Sequence, residues 1–284
     1  MGTDTQGKLY LCPTPIGNLG DITARTLEVL RTADLIAAED TRNTLRLLNH
    51  FDLHVPLTSY HEHNKFEKAS ELVDNMLKGK VIACVTDAGT PGISDPGEIL
   101  VRKAVEAGIE VTSLPGATAF VTALTVSGFS TERFVFEGFL PREKKARREI
   151  LDFISKEMRT IILYEAPHHL KGTLSELREV LGGSRRIALC RELTKLHEEI
   201  LRLSIQDACD HYKDRDPRGE YVLVIEGISR EEIAAAKQRE FKDMSISEHV
   251  AMYEGQGFDR KEAMKRTAAD RGMAKRDVYN ALLL

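Results

Sequence analysis

The sequence predicts an α/β protein: two α/β domains with a cleft between them, followed by a small helical unit at the carboxyl end. Three observations carry this. Short apolar runs alternate with helix-period segments from Lys8 to about Gly227, as strands joined by crossover helices do. Composition shifts near the middle of that stretch, at Ser127-Gly128-Phe129-Ser130, leaving two halves of ordinary domain size. Beyond Glu231 the strand pattern stops and only helical periodicity continues. The expected division is therefore 8–128, 129–228 and 229–284.

Taken in order, Leu9-Tyr10-Leu11-Cys12 is the first strand, ending in Pro13-Thr14-Pro15-Ile16-Gly17-Asn18. Residues 23–32 read as helix, 34–38 as strand and 41–50 as a helix with Leu45, Leu47 and Leu48 apolar. A helix over 66–77 precedes the buried strand Val81-Ile82-Ala83-Cys84-Val85. A helix over 98–105, a strand over 110–114 and an apolar helix over 119–126 complete the first half, as a parallel sheet. In the second half, 133–139 is a strand and a charged helix runs from Pro141 through Glu157. Strands over 160–164, 186–190 and 221–225 follow, with a helix over 170–181. The tail reads as a charged helix over 232–242, then short helices over 247–254, 260–271 and 275–283. Gly255-Gln256-Gly257 and Gly272 break them. Val250, Tyr253, Ala263, Met264, Ala268, Val278, Leu282 and Leu283 are its expected core.

At 284 residues, with 42% apolar and 30% charged residues, the chain has ordinary globular composition. A net charge of −4 confines any nucleic-acid surface to a local patch. Cys12, Cys84, Cys190 and Cys209 lie far apart without a CxxC pair, as buried thiols of a reducing compartment do. Residues 1–6 lack an apolar signal core, and no apolar run nears the roughly 18 residues of a membrane span. The expected location is the cytoplasm.

The richest stretch is Thr86-Asp87-Ala88-Gly89-Thr90-Pro91-Gly92-Ile93-Ser94-Asp95-Pro96-Gly97. It joins a buried strand to a helix at the carboxyl end of a parallel sheet, where open α/β sheets bind ligands. Its glycines let backbone approach a ligand and its prolines stiffen the loop. Pro13–Asn18, Glu39-Asp40-Thr41-Arg42 and Pro115–Thr118 end neighbouring strands and converge on it. The second half adds Tyr164-Glu165-Ala166-Pro167 and Arg191-Glu192-Leu193-Thr194-Lys195. Neither GxxxxGK[ST] nor GxGxxG after the first strand occurs, which argues against P-loop and ordinary dinucleotide sites. No metal is expected. His61 and His63 would face one side of an extended segment, but two ligands without a third or fourth are not a site. A polar loop over the cleft is the better reading of His61-Glu62-His63, and His168-His169 begins a helix beside Pro167.

These loops, with Ser59-Tyr60-His61-Glu62-His63-Asn64, Gly138-Phe139-Leu140-Pro141-Arg142 and Arg191 to Glu198, carry a resemblance. The chain resembles the tetrapyrrole methylase superfamily of S-adenosylmethionine-dependent methyltransferases. Within it, the match is to the 16S rRNA (cytidine-2′-O)-methyltransferase family, over most of Leu9 to Gly227. The resemblance implies S-adenosylmethionine in the interdomain cleft, a homodimer, and 16S rRNA or the small ribosomal subunit as partner. Carried over, the cofactor contacts fall on Pro15 and Ile16, then on Asp87, Gly89, Thr90, Pro91, Ile93 and Ser94. Thr118, Ala119, Tyr164, Glu165 and Leu193 complete them. The implied reaction is in-line attack of a cytidine 2′-hydroxyl of the decoding centre on the activated methyl group. His61, Asp87 and Lys195 are candidate bases for the hydroxyl proton.

The tail adds a sign of RNA that does not depend on the resemblance. Between 260 and 276, Arg260, Lys261, Lys265, Arg266, Arg271, Lys275 and Arg276 outnumber Glu262 and Asp270. A helix, a Gly272 turn and a second helix resemble a helix-turn-helix unit, and the cations suit phosphate. A solvated face on a small bundle is the plainer alternative. Two rival functions stand beside RNA methylation: a tetrapyrrole (precorrin) C-methyltransferase, and a non-catalytic ribosome-associated RNA-binding protein. The basic tail disfavours the first, and the density of cofactor-loop motifs disfavours the second.

Overall fold

The computed structural model describes residues 7–283. Residues 1–6, read above for a signal core, and Leu284 lie outside that range. The first sheet collects β1 (Lys8–Leu11), β2 (Leu35–Ala38), β3 (Leu57–Ser59), β4 (Val81–Val85) and β5 (Glu110–Ser113). Their order is β3-β2-β4-β1-β5 and every pairing is parallel. Crossovers run through α1 (Ala24–Thr32), α2 (Thr41–His50), α3 (Lys65–Leu77) and α4 (Gly97–Glu106). Thr23 caps α1 by accepting from the Thr26 N–H at 3.0 Å, and Asp40 caps α2 by accepting from that of Arg42 at 2.8 Å. Helices cover both faces of the sheet. Leu72, Met76 and Leu100 pack with Leu9 and Ile82 on one side, and Leu30 and Leu48 with Ile36 and Val85 on the other.

The second sheet departs from the parallel pattern. It contains β6 (Phe134–Phe139), β7 (Thr160–Glu165), β8 (Arg186–Arg191), β9 (Glu199–Ser204) and β10 (Tyr221–Ile225), in the order β6-β7-β10-β8-β9. Only β6 and β7 run parallel; β10 is antiparallel to both its neighbours, and β8 to β9. One face is packed by α6 (Lys144–Ser155), α7 (Pro167–Leu181) and α8 (Ile205–Tyr212). The other is covered by α5 (Ala119–Ser127), although α5 precedes the composition boundary. Ala123 and Leu124 of α5 meet Ile162, Ala188, Cys190, Val222 and Val224, the alternate residues of three strands. The Arg202 guanidinium of β9 donates to the Val126 and Ser127 carbonyls, capping the end of α5.

Some expected elements move or were missed. The charged helix starts at Lys144 rather than Pro141, because the Glu143 side chain caps it by accepting from the Lys145 and Ala146 N–H groups. β3 is three residues on a sheet edge, and β9 is an edge strand with no fully buried position, so neither shows an apolar run. Cys12, Cys84 and Cys190 are buried, but Cys209 is half-buried, because the buried face of α8 is set by Ile205, Ala208 and Tyr212 and Cys209 lies at its margin.

The tail forms α9 (Arg230–Glu240), α10 (Ile246–Gly255), α11 (Arg260–Arg271) and α12 (Lys275–Ala281). Ser245 and Glu248 make a reciprocal capping box on α10, and Gly272 ends α11 at a φ of 61°. Val250, Ala263, Ala268 and Val278 form the buried centre expected of them. Leu283 is exposed instead, because α12 stops at Ala281. Among the described residues no helix is long and apolar enough to cross a membrane.

Candidate active site

Loops from the carboxyl edge of the first sheet wall one side of a cavity of about 440 Å³, a size suited to a small-molecule ligand. The loops after β1 and β4 are stitched together where Thr14 and Gly89 exchange backbone hydrogen bonds of 2.9 and 3.0 Å. Gly89 has a φ of 89°, which a side chain would strain. The loop after β4 is shaped from within by Asp95, whose carboxylate accepts from the N–H groups of Gly92, Ile93 and Gly97 at 2.7–3.2 Å. Burial pushes the Asp95 carboxyl up, and the three N–H donors oppose it. Thr90 ties this loop to the one after β5 through the Ala117 carbonyl at 3.0 Å.

The second sheet supplies the facing wall. Tyr164 and Glu165 end β7, Cys190 lies near the end of β8, and Tyr221 and Val222 begin β10. Antiparallel pairing puts the amino end of β10 here, with Tyr221 opposite both Glu165 and Arg191. The two walls touch through Gly17, where an added Cβ would fall 2.4 Å from Lys195 Cγ and 2.7 Å from Thr194 Oγ1. The Asn18 N–H also donates to Thr194 Oγ1 at 3.1 Å.

Of the residues singled out as cofactor contacts, Ile16, Asp87, Gly89, Thr90, Ile93, Ser94, Thr118, Ala119, Tyr164, Glu165 and Leu193 line this cavity. Pro15 faces a neighbouring groove, and Pro91 is buried and lines neither space. Glu39, Glu192, Glu220, Tyr221 and Val222 line it without having been singled out. Glu39 accepts from Thr86 Oγ1 at 2.6 Å and from the Asp87 N–H at 3.3 Å. The quoted motifs held Glu39 and Glu192. Nothing in the sequence signalled Glu220 to Val222, because the direction of β10 is a tertiary fact.

The candidate bases separate. Asp87 accepts from the Asp40 N–H and from Asn43 Nδ2, both at 3.1 Å. Its pKa is raised, by burial first and also by Glu39, against the Asn43 hydrogen bond. Lys195 Nζ is clamped by Glu192 at 2.8 Å and Glu220 at 2.9 Å. Burial pulls its pKa down, but the two carboxylates outweigh burial and the net shift is upward. His61 lines neither space. Its segment is a turn rather than extended, because the Asn64 side chain accepts from the His61 N–H at 2.8 Å and leads the chain into α3.

In the tail, Arg260, Lys261, Lys265, Arg266, Lys275 and Arg276 are exposed. Arg271 turns inward, donating to His249 Nδ1 at 3.0 Å and to the Met244 and Ser245 carbonyls. Its guanidinium holds the bundle together rather than facing solvent.

The family model for tetrapyrrole (corrin/porphyrin) methylases matches residues 8–209, which hold every cavity-lining loop except the start of β10. The chain belongs to the tetrapyrrole methylase family. It is 48% identical over 277 residues to a ribosomal RNA small subunit methyltransferase I of Halalkalibacterium halodurans, covering 98% of this chain and 95% of that one. The protein of the same name from Bacillus subtilis is 45% identical over 280 residues, covering 99% and 95%. Among solved structures, the methyltransferase CobJ superposes with a TM-score of 0.60 at 18% identity, over 78% of this chain and 94% of that chain. A uroporphyrin-III C-methyltransferase from Thermus thermophilus, complexed with S-adenyl homocysteine, gives 0.56 at 15%, over 78% and 97%. At such identities these structures speak for the methylase fold alone.

Proposed function

We propose that this methylase uses S-adenosylmethionine to methylate the 2′-hydroxyl of a cytidine in the decoding centre of 16S ribosomal RNA. The observation that carries the reading is the cavity built from both sheets, with Asp87 at its wall. The names of the full-length relatives support RNA, rather than a tetrapyrrole, as the acceptor.

The cavity suits the cofactor. Ala88, Gly89 and Ala119 keep side chains short along one wall, so backbone donors and acceptors are within reach of an adenosyl group. Ile16, Ile93, Tyr164 and Leu193 offer apolar surface, and Glu192 and Glu220 suit an ammonium group. When bound, S-adenosylmethionine supplies an activated methyl group on a sulfonium. The chain contributes alignment and a place for the hydroxyl proton. Asp87 fits that task, because its raised pKa makes the carboxylate a better proton acceptor than an ordinary one. Lys195, held as an ammonium between two carboxylates, does not fit; it orients Glu192 and Glu220.

The exposed cations of α11 and α12 serve as an RNA-binding surface in this reading, with Arg271 as their structural support. The chain works in the cytoplasm as a homodimer; family resemblance supports the dimer, and the free cysteines support a reducing compartment. The test is transfer of a labelled methyl group from S-adenosylmethionine to unmodified small ribosomal subunits, free 16S RNA and precorrin. Label on a cytidine 2′-oxygen is expected. Label on precorrin alone would reject RNA as the acceptor, and binding of subunits without transfer would reject catalysis.

A further inference from the structure

A second groove, of about 340 Å³, adjoins the donor cavity. One wall is α2, where Asn43, Arg46, Leu47 and His50 recur at the three- and four-residue spacing of a single helix face. The opposite wall is the Pro15–Leu19 part of the loop after β1. Thr86 and Asp87 line both spaces, so the two meet at the Asp87 carboxylate. Asn43, which donates to that carboxylate at 3.1 Å, belongs to the groove. Pro15, Leu19 and Leu47 give it apolar surface, and Arg46 gives it positive charge. Arg42, one turn earlier, is bound to Asp40. Arg46 is exposed and makes no ion pair with any described residue.

We infer that this groove seats the acceptor nucleotide: an RNA ribose phosphate, with Arg46 on the phosphate and the ribose hydroxyl at Asp87. A nucleotide presents apolar faces, one negative charge at the phosphate and a hydroxyl to be deprotonated. The groove offers apolar walls, one uncommitted guanidinium and a carboxylate shared with the donor cavity. The shared residue sits where two substrates must meet for transfer, with each substrate approaching from its own side. The inference rests on the RNA-methyltransferase reading and adds the place and polarity of the acceptor.

The experiment compares the full chain with Arg46→Ala, Arg46→Glu and Arg46→Lys. Binding to unmodified small subunits is measured over a salt series, and S-adenosylmethionine binding by calorimetry. Loss of one phosphate contact should weaken subunit binding on the order of tenfold in Arg46→Ala and reduce the log–log salt slope by about one. Arg46→Glu should weaken binding further and Arg46→Lys should recover part of it, with cofactor affinity unchanged in all three. Subunit affinity and salt slope at the parental level in Arg46→Ala and Arg46→Glu would overturn the inference. A fall in cofactor affinity matching the fall in subunit affinity would also overturn it, by pointing to a disturbed helix. If the parental protein transfers methyl to subunits while these variants bind normally, the groove assignment fails and the function stands. If the parental protein transfers none, the shared reading fails, and the groove assignment with it.

Discussion

Asp87 and Lys195 both line the cavity, and their neighbours suit them to opposite parts in the proposed reaction. Burial and Glu39 raise the Asp87 pKa, so its carboxylate binds a proton more readily than an ordinary aspartate. Activity should therefore fall as pH drops through a value above the usual aspartate range of about 3.9. The rate of single-turnover methyl transfer against pH checks this. Asp87→Asn should remove that acid limb and slow transfer on the order of 10²–10⁴-fold, with cofactor affinity largely kept. The sign for stability is the reverse. A carboxyl whose folded pKa is raised costs stability once it ionises, so Asp87→Asn should hold or raise the melting temperature at neutral pH. A melting temperature well below the parental one would mean that the Asn43 and Asp40 hydrogen bonds matter more than the charge. Lys195→Ala should leave the acid limb in place, because Lys195 is cationic on both sides of it. At this scale the sequence was legible where a residue sat in a strand-end loop. The extended reading of residues 61–63 does not hold, because one hydrogen bond from the His61 N–H to Asn64 Oδ1 turns the segment, and local pattern does not record such a bond.

At the level of elements, the proposed function rests on the loops and the tail helices. The 86–97 loop is held by its own Asp95 and by cross-loop bonds from Thr14 and Thr90, so it presents ligand-facing backbone in a preset shape. The tail folds around its own small core and keeps most of its cations on the surface. Deleting 245–284 should weaken binding to RNA or subunits far more than binding of S-adenosylmethionine, measured side by side by filter binding and calorimetry. Equal loss of both would assign the tail a folding role. Arg271 adds a discriminating variant: Arg271→Ala should lower stability by about 1–3 kcal/mol, because a charged, part-buried hydrogen-bonding group is lost. Arg276→Ala should leave stability near parental and act on RNA affinity alone. Element types were readable from periodicity, and Gly272 and the 255–257 break were readable as stops. β3 and β9 were not, because β3 is only three residues long and β9 mixes polar residues into a strand with no fully buried position.

Across the whole molecule, α5 binds the two halves into one unit, since it follows the first sheet in sequence and covers the second. A fragment of residues 129–228 leaves one face of the second sheet bare. It should be insoluble or bind a hydrophobic dye, whereas a fragment starting at 115 should fold; circular dichroism and dye binding of the two would decide. A well-folded 129–228 fragment would support the boundary that composition suggests. The sequence by itself determined the α/β class, the parallel first sheet, the strand-end loops and the tail helices. Each of these follows from local periodicity, and a buried parallel strand or a capped helix writes its pattern into adjacent residues. Only the tertiary structure decided that β10 runs backwards, that α5 crosses to the other sheet and that Arg271 turns inward. It also decided that Asp87 joins two spaces. These depend on which distant surfaces meet, and burial on contact, rather than any spacing along the chain, selects them.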